Sequence, residues 1–321
     1  MLQQLPQDWA ARLQPLSRAR RAYFIGIARL QLGELAQASE HFDEALHSLD
    51  VAGHARHVLW GGTDPLVMTL LMCGQVRAYQ GLLDQAHQCA ERALQVSEGL
   101  GHMHSKALAH MQFAYSLLRK GQMTAVTEHA RRALELADHL GFPTVKAFAL
   151  FGLGCAQIAA GDIDDGLRLL QQGFALAVKV FGKFRIAEIA AASAQALQDA
   201  NRHADSAEFI IAGERIQSES DERIVEAELL RLRGRLLDHA GHSEAAAQHY
   251  ARAIEVAQRQ GAGFYALRAA SDLAAQLRAR GRAREADAVL RPIHDAFTEG
   301  FDYPDLRRAR ALLDGLAQDR A

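Results

Sequence analysis

The sequence is poor in aromatic residues and cysteine, and it lacks the pattern of β-strands. Aromatic residues make up 7% of the 321 residues and hydrophobic residues 49%, so Ala and Leu must build most of the core. No run of alternating β-branched residues is long enough for a strand, which favours an all-α fold. The three cysteines, Cys73, Cys89 and Cys155, are not paired in spacing. We expect them to be small buried apolar residues in a reducing compartment.

Targeting signals and long apolar runs are also missing. The N-terminal residues have neither the basic segment nor the apolar run of a signal peptide. We find no apolar stretch of about 18 residues, and therefore expect no membrane span and a soluble, cytoplasmic protein. The formal net charge of −2 gives no reason to expect nucleic acid or an anionic membrane as a partner.

Motifs for catalysis and for metal or cofactor binding are absent or isolated. There is no Gly-x4-Gly-Lys-Ser/Thr phosphate loop. The pairs His102-x-His104 and His54-x2-His57 have no further ligands at metal-site spacing. Residues 162–165 read Asp-Ile-Asp-Asp, which matches the Asp-x-Asp-Asp pattern of helical terpene cyclases. Exposed acidic residues are favoured at the start of a helix, so we predict a structural role for them. We expect no metal, no cofactor and no catalytic residue.

What is present is a fixed period. Residues that break helices recur at a spacing of 40: Gly81, Gly121, Gly161, Asn201, Gly241 and Gly281. A seventh, Gly33, lies 48 residues before the first of them. Seven residues before each breaker the chain carries only Gly or Ala: Gly26, Gly74, Ala114, Gly154, Ala194, Gly234 and Ala274. The period indicates stacked helix pairs, and the small residues let the paired helices approach closely.

These columns of small residues resemble the tetratricopeptide repeat over about residues 20–295. The stretches 81–86 (Gly-Leu-Leu-Asp-Gln-Ala) and Ala93-Leu94 look like the second-helix signature of that family. The usual repeat has about 34 residues, whereas this one has 40. Longer repeats of this kind resemble those in large bacterial signalling ATPases and in the maltose-regulon activator. The resemblance implies an all-α, right-handed solenoid of about seven helix pairs with a C-terminal capping helix.

This architecture divides the chain into five segments. We predict a leader at 1–15, a first helix pair at 16–50, an irregular loop at 51–62, six helix pairs at 63–300, and a capping helix with a tail at 301–321. The predicted helices are 16–32 with 35–49, 64–79 with 83–99, 104–119 with 123–139, 143–160 with 163–180, 184–199 with 203–218, 222–239 with 243–259, and 264–280 with 283–298. Phe264 and Tyr265 are predicted to plug a loop between repeats.

The C-terminal part carries a more specific resemblance. Residues 267–274 (Leu-Arg-Ala-Ala-Ser-Asp-Leu-Ala), 281–286 (Gly-Arg-Ala-Arg-Glu-Ala) and 297–306 (Phe-Thr-Glu-Gly-Phe-Asp-Tyr-Pro-Asp-Leu) resemble the helical C-terminal arm of large bacterial proteins. Those proteins join a signalling ATPase to a class III nucleotide cyclase, a kinase or a DNA-binding domain. The resemblance implies a regulatory, signal-receiving arm and does not imply catalysis.

In the tetratricopeptide repeat, the first helix of each pair lines a concave groove. Counting 13, 10 and 6 residues back from each turn gives the groove candidates Met68, Leu71, Gln75, Leu108, Met111, Tyr115, Phe148, Phe151, Cys155, Glu188, Gln195, Glu228, Arg231, Arg235, Arg268 and Ser271. The predicted wall changes from apolar to charged along the array, and exposed apolar residues there would mark a binding site. If the longer helices shift the register, the same residues belong to the core.

These observations favour a non-catalytic scaffold that acts as the sensor or regulatory arm of a bacterial signalling or transcription-regulating ATPase or cyclase. Its expected partner is a protein or peptide segment or a small effector, with no nucleic acid and no membrane. Two alternatives stay open. The chain is a free-standing adaptor that assembles other proteins, or, more remotely, a helical enzyme.

Overall fold

The computed structural model describes residues 15–52, 60, 62–181 and 185–319. Most of the predicted leader, His54, His57 and most of the predicted loop at 51–62 lie outside these residues. The described part contains fifteen α-helices and no strand, and a single antiparallel bridge joins Trp60 to Thr63. The predicted all-α class is therefore confirmed.

The helices form seven consecutive pairs followed by a closing helix. The pairs are α1 (Pro15–Gln31) with α2 (Leu35–Ala52), α3 (Pro65–Gln80) with α4 (Leu83–Leu100), α5 (Met103–Arg119) with α6 (Met123–Leu140), α7 (Pro143–Ala160) with α8 (Ile163–Phe181), α9 (Ile186–Asp199) with α10 (His203–Ser218), α11 (Glu226–His239) with α12 (Ser243–Gln260), and α13 (Gly263–Ala279) with α14 (Ala283–Asp295). The closing helix is α15 (Pro304–Gln318).

The turns inside the pairs lie at the predicted helix breakers. All six glycines among them have positive φ, from +71° at Gly121 to +97° at Gly161, and Asn201 has φ +59°. The turn at Gly81 shows why this conformation is needed. Its N–H donates to the carbonyl of Ala78, and the next N–H, of Leu82, donates to the carbonyl of Arg77. A left-handed residue closes the helix in this way, and glycine adopts it without steric strain.

The columns of small residues bring paired helices into close contact. In the fourth pair, a Cβ added at Gly166 would lie 2.8 Å from the carbonyl oxygen of Gly154. A Cβ added at Gly173 would lie 2.8 Å from the carbonyl oxygen of Ala147. Backbone therefore packs directly on backbone at these two points, as the pattern predicts, and no larger side chain fits there.

Several helices begin or end at other residues than predicted. Helix α2 continues to Ala52, inside the predicted irregular loop. Helix α11 begins at Glu226 and not near 222, and ahead of it the N–H of Arg223 donates to the carbonyl of Gln31 at 2.7 Å. Helix α14 ends at Asp295 and not near 298, and the chain then leaves toward the start of α4.

The expectation that no long apolar run exists was wrong. Helix α7 is 18 residues long with a mean hydropathy of 1.3, enough by length and composition alone to cross a membrane. In the structure 61% of this stretch is buried. Because α7 packs against both α6 and α8, its composition is also that of a core helix.

The solenoid closes on itself, which the repeat pattern does not reveal. Helix α3 of the second pair contacts α13 of the seventh pair, and the rings of Tyr79 and Tyr265 lie 5.4 Å apart. The approach is close, since a Cβ added at Gly263 would lie 2.5 Å from the carbonyl oxygen of Gln80. The bond between Arg223 and Gln31 likewise ties the first pair to the turn before α11. We call this arrangement the closed ring.

A second set of contacts seals the closed ring between α14 and α15. The carboxylate of Glu299 accepts hydrogen bonds from the backbone N–H groups of Asp84 and Gln85, at 2.8 and 3.0 Å. The N–H of Gly300 donates to the Asp84 carboxylate at 2.9 Å, and the Tyr303 hydroxyl donates to the carbonyl of Leu83 at 2.9 Å. We call these contacts the latch. They hold the C-terminal segment on the first turn of α4, more than 200 residues earlier in the chain.

Candidate functional site

The closed ring surrounds a central cavity of about 600 Å³. Its wall is formed by the first helices of pairs two to seven and by the start of α15. Aromatic and aliphatic side chains form most of this wall, among them Tyr115, Leu118, Met123, Phe151, Ile158, Ala192, Phe264 and Tyr265. A space of this size, largely apolar with a few polar groups, has the dimensions of a small-ligand pocket.

One charged group of the wall is a carboxylate that bridges the ring. Glu188, at the start of α9, accepts from the Gln75 side-chain amide at 2.7 Å and from the Tyr79 hydroxyl, both on α3. The Arg185 guanidinium donates to Glu188 at 3.0 Å and to the Gln75 carbonyl at 2.7 Å. Burial alone would raise the pKa of Glu188, but Arg185 and these hydrogen bonds hold it below its usual value. Glu188 is therefore ionised, and its hydrogen bonds connect α9 to α3 across the ring.

A second carboxyl lies nearby in a different state. Glu222 is 2% exposed and precedes α11. Burial, and secondarily the negative charge of Glu188, raise the pKa of Glu222 to about 7, although Arg185 opposes the shift. Glu222 therefore carries a proton in the folded protein under mildly acidic conditions, close to the seam that joins the first pair to the sixth.

A network of arginines and acids lies partly in the wall and partly buried next to it, with Glu228, Arg268 and Arg308 in the cavity lining. Arg231 is 1% exposed and donates to Glu228 at 2.8 and 2.9 Å and to Asp272 at 2.6 Å. Arg268 donates to Glu228 at 2.5 Å, and Arg308 donates to Asp272 at 2.6 Å. Each buried charge in this network is matched, so the network joins α11, α13 and α15 without leaving an unpaired ion.

Two polar groups of the wall that lack hydrogen-bond partners lie on α5. The Tyr115 hydroxyl is buried with no hydrogen-bond partner, and the ring packs against Phe151 at a centroid distance of 5.1 Å. Burial raises the pKa of Tyr115 well above its usual value, so the hydroxyl remains a donor. Arg119 lies four residues later, is half-buried, and makes no ion pair or hydrogen bond with any residue that the structure describes.

The structure places the groove candidates in two groups. Those on the cavity wall are Tyr115, Phe151, Cys155, Glu188, Gln195, Glu228 and Arg268. Those off the wall are Met68, Leu71, Gln75, Leu108, Met111, Phe148, Arg231, Arg235 and Ser271. Leu71 and Met111, for example, are 4% and 8% exposed and belong to the hydrophobic core. The open groove does not extend over these positions, because the closed ring covers the face of α3 and the wall lies nearer the turns.

Wall residues that the sequence pattern missed lie one helical turn closer to the breakers. Leu118 and Arg119 precede Gly121 by three and two residues, and Ile158 precedes Gly161 by three. Extending the count of 13, 10 and 6 by one more turn would have found them. Phe264 and Tyr265, predicted to plug a loop, instead belong to α13 and face the cavity. Only the closure of the ring brings Tyr265 to Tyr79, and the sequence carries no signal for it.

The acidic motif at residues 162–165 and the pair His102 and His104 lie at the ends of helices, where they cap or pair with neighbouring residues. Asp164 and Asp165 lie exposed at the start of α8, and Asp164 pairs with Arg202 at 2.6 Å. The His102 ring nitrogen caps the first turn of α5, and His104 lies 2.9 Å from the Thr63 hydroxyl. Within residues 15–52, 60, 62–181 and 185–319, no group of three or more His, Cys, Asp or Glu side chains is arranged to hold a metal ion.

No protein-family model matches the chain, and no curated protein is similar to it in sequence. Solved structures do resemble it. A Rap protein complexed with Competence and Sporulation Factor matches with a TM-score of 0.64 at 15% identity, covering 97% of this chain and 79% of its own. Aspartyl phosphate phosphatase F from Bacillus subtilis matches at 0.56 and 15%, covering 100% and 77%.

A third likeness is to a signal-transduction ATPase with numerous domains from Pyrococcus horikoshii, which has a tetratricopeptide-repeat sensor. The TM-score is 0.52 at 8% identity over 100% of this chain and 48% of that protein, so the chain spans about half of its length. At such identities the likeness concerns the fold. With the seven helix pairs and the turns described above, these matches show that the chain has the fold of a tetratricopeptide-repeat solenoid.

Proposed function

We propose that this protein is a non-catalytic binding scaffold whose central cavity takes an effector and which thereby regulates a partner. The observation that carries the proposal is the cavity itself. It measures about 600 Å³, is enclosed by helices from six pairs, and combines an apolar wall with charged groups that are already held in place. Cavities of roughly 300–1,000 Å³ with this composition are the usual form of small-ligand sites.

The closed ring offers a route from binding to regulation. Residues of α5, α7, α9 and α13 meet in the cavity, although they come from four different repeats. A ligand that contacts all of these helices at once stabilises the closed ring more than an opened one. Such differential affinity is what shifts a conformational equilibrium. The outer helices and the latch would then present different surfaces to a partner in the two states.

The likenesses support a sensor role in particular. The P. horikoshii protein is a signal-transduction ATPase with a repeat sensor, and the Rap protein was solved with Competence and Sporulation Factor bound. By analogy, we propose that the present chain is the sensor or regulatory arm of a bacterial signalling or transcription-regulating ATPase or cyclase, and that it acts in the cytoplasm. Its ligand is a short peptide segment or a small effector.

Thermal unfolding tests this proposal against a panel of nucleotides, sugars, acyl compounds and peptides. A ligand that binds only the folded state raises the melting temperature, and the rise grows with the logarithm of its concentration above the dissociation constant. Ala192 lies on the cavity wall, and Ala192→Trp should place a bulky indole in the cavity and obstruct a ligand there. Gln171→Trp, exposed on α8, is the matched control.

We expect at least one class of compounds to raise the melting temperature of the wild type and of Gln171→Trp, but not that of Ala192→Trp. If no compound acts, or if Ala192→Trp responds like the wild type, the cavity is not the effector site. Stabilisation by a partner protein alone, retained in Ala192→Trp, would favour the adaptor.

A further inference from the structure

Two unpaired polar groups of the cavity wall lie on the same face of one helix. Tyr115 and Arg119 are four residues apart on α5, and residues at this spacing are neighbours on a helix surface. Both line the central cavity. A phenolic hydroxyl and a guanidinium are both hydrogen-bond donors, and together they present donors with no acceptor supplied by the described part of the chain.

The other charges of the wall are already neutralised, which distinguishes Arg119 from them. Glu188 pairs with Arg185, and Asp199 pairs with Arg235 at 3.0 Å. The remaining pairs are Glu228 with Arg231 and Arg268, Asp305 with Arg268, and Arg308 with Asp272. Among the described residues no acid of the wall forms an ion pair with Arg119, although its charge contributes to the low pKa of Glu188, so the guanidinium donors of Arg119 remain free.

The wall around these donors is apolar. Phe151 packs on the Tyr115 ring, and Leu118 and Ile158 line the cavity beside them. Tyr265, 5.4 Å from Tyr79, also lines the cavity. A partly enclosed guanidinium surrounded by such side chains binds a carboxylate well, because the planar fork of donors matches the two carboxylate oxygens.

We infer that the cavity takes a ligand with a carboxylate group and an aromatic or branched apolar body, the carboxylate bound by Arg119 with a hydrogen bond from Tyr115. This inference rests on the proposed function, whose ligand class it narrows. The carboxylate could belong to a free organic acid or to the C-terminus of a short peptide, and both present the same group to Arg119.

A structural role for Arg119 makes a different prediction. Arg119 is the last residue of α5, where a positive charge is favoured by the helix dipole. Arg259 occupies a similar position at the end of α12, but it is exposed and lies outside the cavity. If Arg119 serves the helix end, Arg119→Gln should lower the melting temperature as much as Arg259→Gln, or more. If Arg119 instead serves to bind a ligand, Arg119→Gln should leave the melting temperature of the free protein unchanged or raise it by about 1–2 °C.

The decisive experiment compares carboxylates with their primary amides by thermal unfolding and calorimetric titration of the full chain. The probes range from 4-phenylbutyrate and 4-phenylbutanamide to N-acetyl-Leu-Phe with a free or an amidated C-terminus. We expect at least one acid to bind the wild type and its amide to bind at least about tenfold more weakly, because the amide lacks the charge. Arg119→Gln should lose this difference, Tyr115→Phe should reduce it, and Arg259→Gln should keep it.

Three results would overturn the inference: no acid binds, acids and amides bind alike, or Arg119→Gln still prefers the acid. Preference for the peptide acid over the free acids, or the reverse, identifies the source of the carboxylate and supports the inference either way. If the carboxylate inference fails but a neutral compound still stabilises the wild type and not Ala192→Trp, the proposed function remains supported.

Discussion

Removing the Glu299 carboxylate should loosen the closed ring, because this side chain caps a helix that has no cap of its own. The N-cap of α4 is Leu82, whose side chain cannot accept a hydrogen bond. Glu299, from the other end of the chain, supplies the missing cap by accepting hydrogen bonds from the N–H groups of Asp84 and Gln85. A second oxygen of the carboxylate accepts from the Gln85 side chain at 2.9 Å.

The magnitude follows from these bonds. Loss of an N-cap costs about 1 kcal/mol, and loss of a negative charge at a helix N-terminus costs up to about 1 kcal/mol more. Glu299→Ala should therefore lower the free energy of unfolding by about 1–2 kcal/mol, or the melting temperature by about 2–3 °C for a chain of this size. The affected contacts lie at the start of α4, so backbone hydrogen exchange should rise there first.

The assay is chemical and thermal unfolding of Glu299→Ala beside Glu285→Ala, with hydrogen exchange measured by mass spectrometry. Glu285 lies exposed in the first turn of α14 and pairs only with Arg282, so its loss should change stability much less. Equal stability of the two variants, with unchanged exchange at the start of α4, would refute the latch.

Three further outcomes follow from the packing and the buried charges, each measured by urea unfolding. Arg231→Met should destabilise the protein by about 3–5 kcal/mol, because it removes the partner of the buried Glu228 and Asp272 carboxylates. Arg252→Met removes one partner of an exposed ion pair and should change stability little. Equal effects of the two substitutions would contradict the buried network. Gly166→Ala should destabilise by about 1–3 kcal/mol through its clash with backbone, and Gly99→Ala, with open space around it, should be neutral or stabilising. Glu222 has a pKa of about 7 in the fold against 4.5 ordinarily, so the folded state keeps a proton that the unfolded chain loses, and stability falls as the pH rises from 4.5 to 7. Glu222→Gln should therefore stabilise by up to about 3 kcal/mol at pH 8 and have little effect at pH 4.5; a constant difference across this range would contradict the assignment.

The local features of the fold could be predicted because they depend on neighbouring residues. A left-handed turn needs glycine or asparagine at one position, and Gly81 and Asn201 both take positive φ there. Close approach of paired helices needs small residues at fixed distances from that turn, and Gly154 and Gly166 show the contact. Both signals repeat along the chain, so several copies support each one.

The closure of the ring could not be predicted from the same pattern. It depends on how the small rotation between pairs accumulates over six repeats, and no single residue encodes that rotation. Its contacts join residues far apart in sequence, such as Glu299 with Asp84 or Tyr79 with Tyr265. The cavity exists only because the ring closes, which is why the groove candidates include both wall residues such as Phe151 and core residues such as Leu71.

The measurement that tests the central claim most directly is hydrogen exchange of the full chain with and without a compound that raises its melting temperature. Binding in the central cavity should slow exchange in α5, α7, α9 and α13, which share the wall, and Ala192→Trp should show no such change. Protection confined to the second helices of the pairs, or protection that persists in Ala192→Trp, would place the ligand elsewhere and contradict the account.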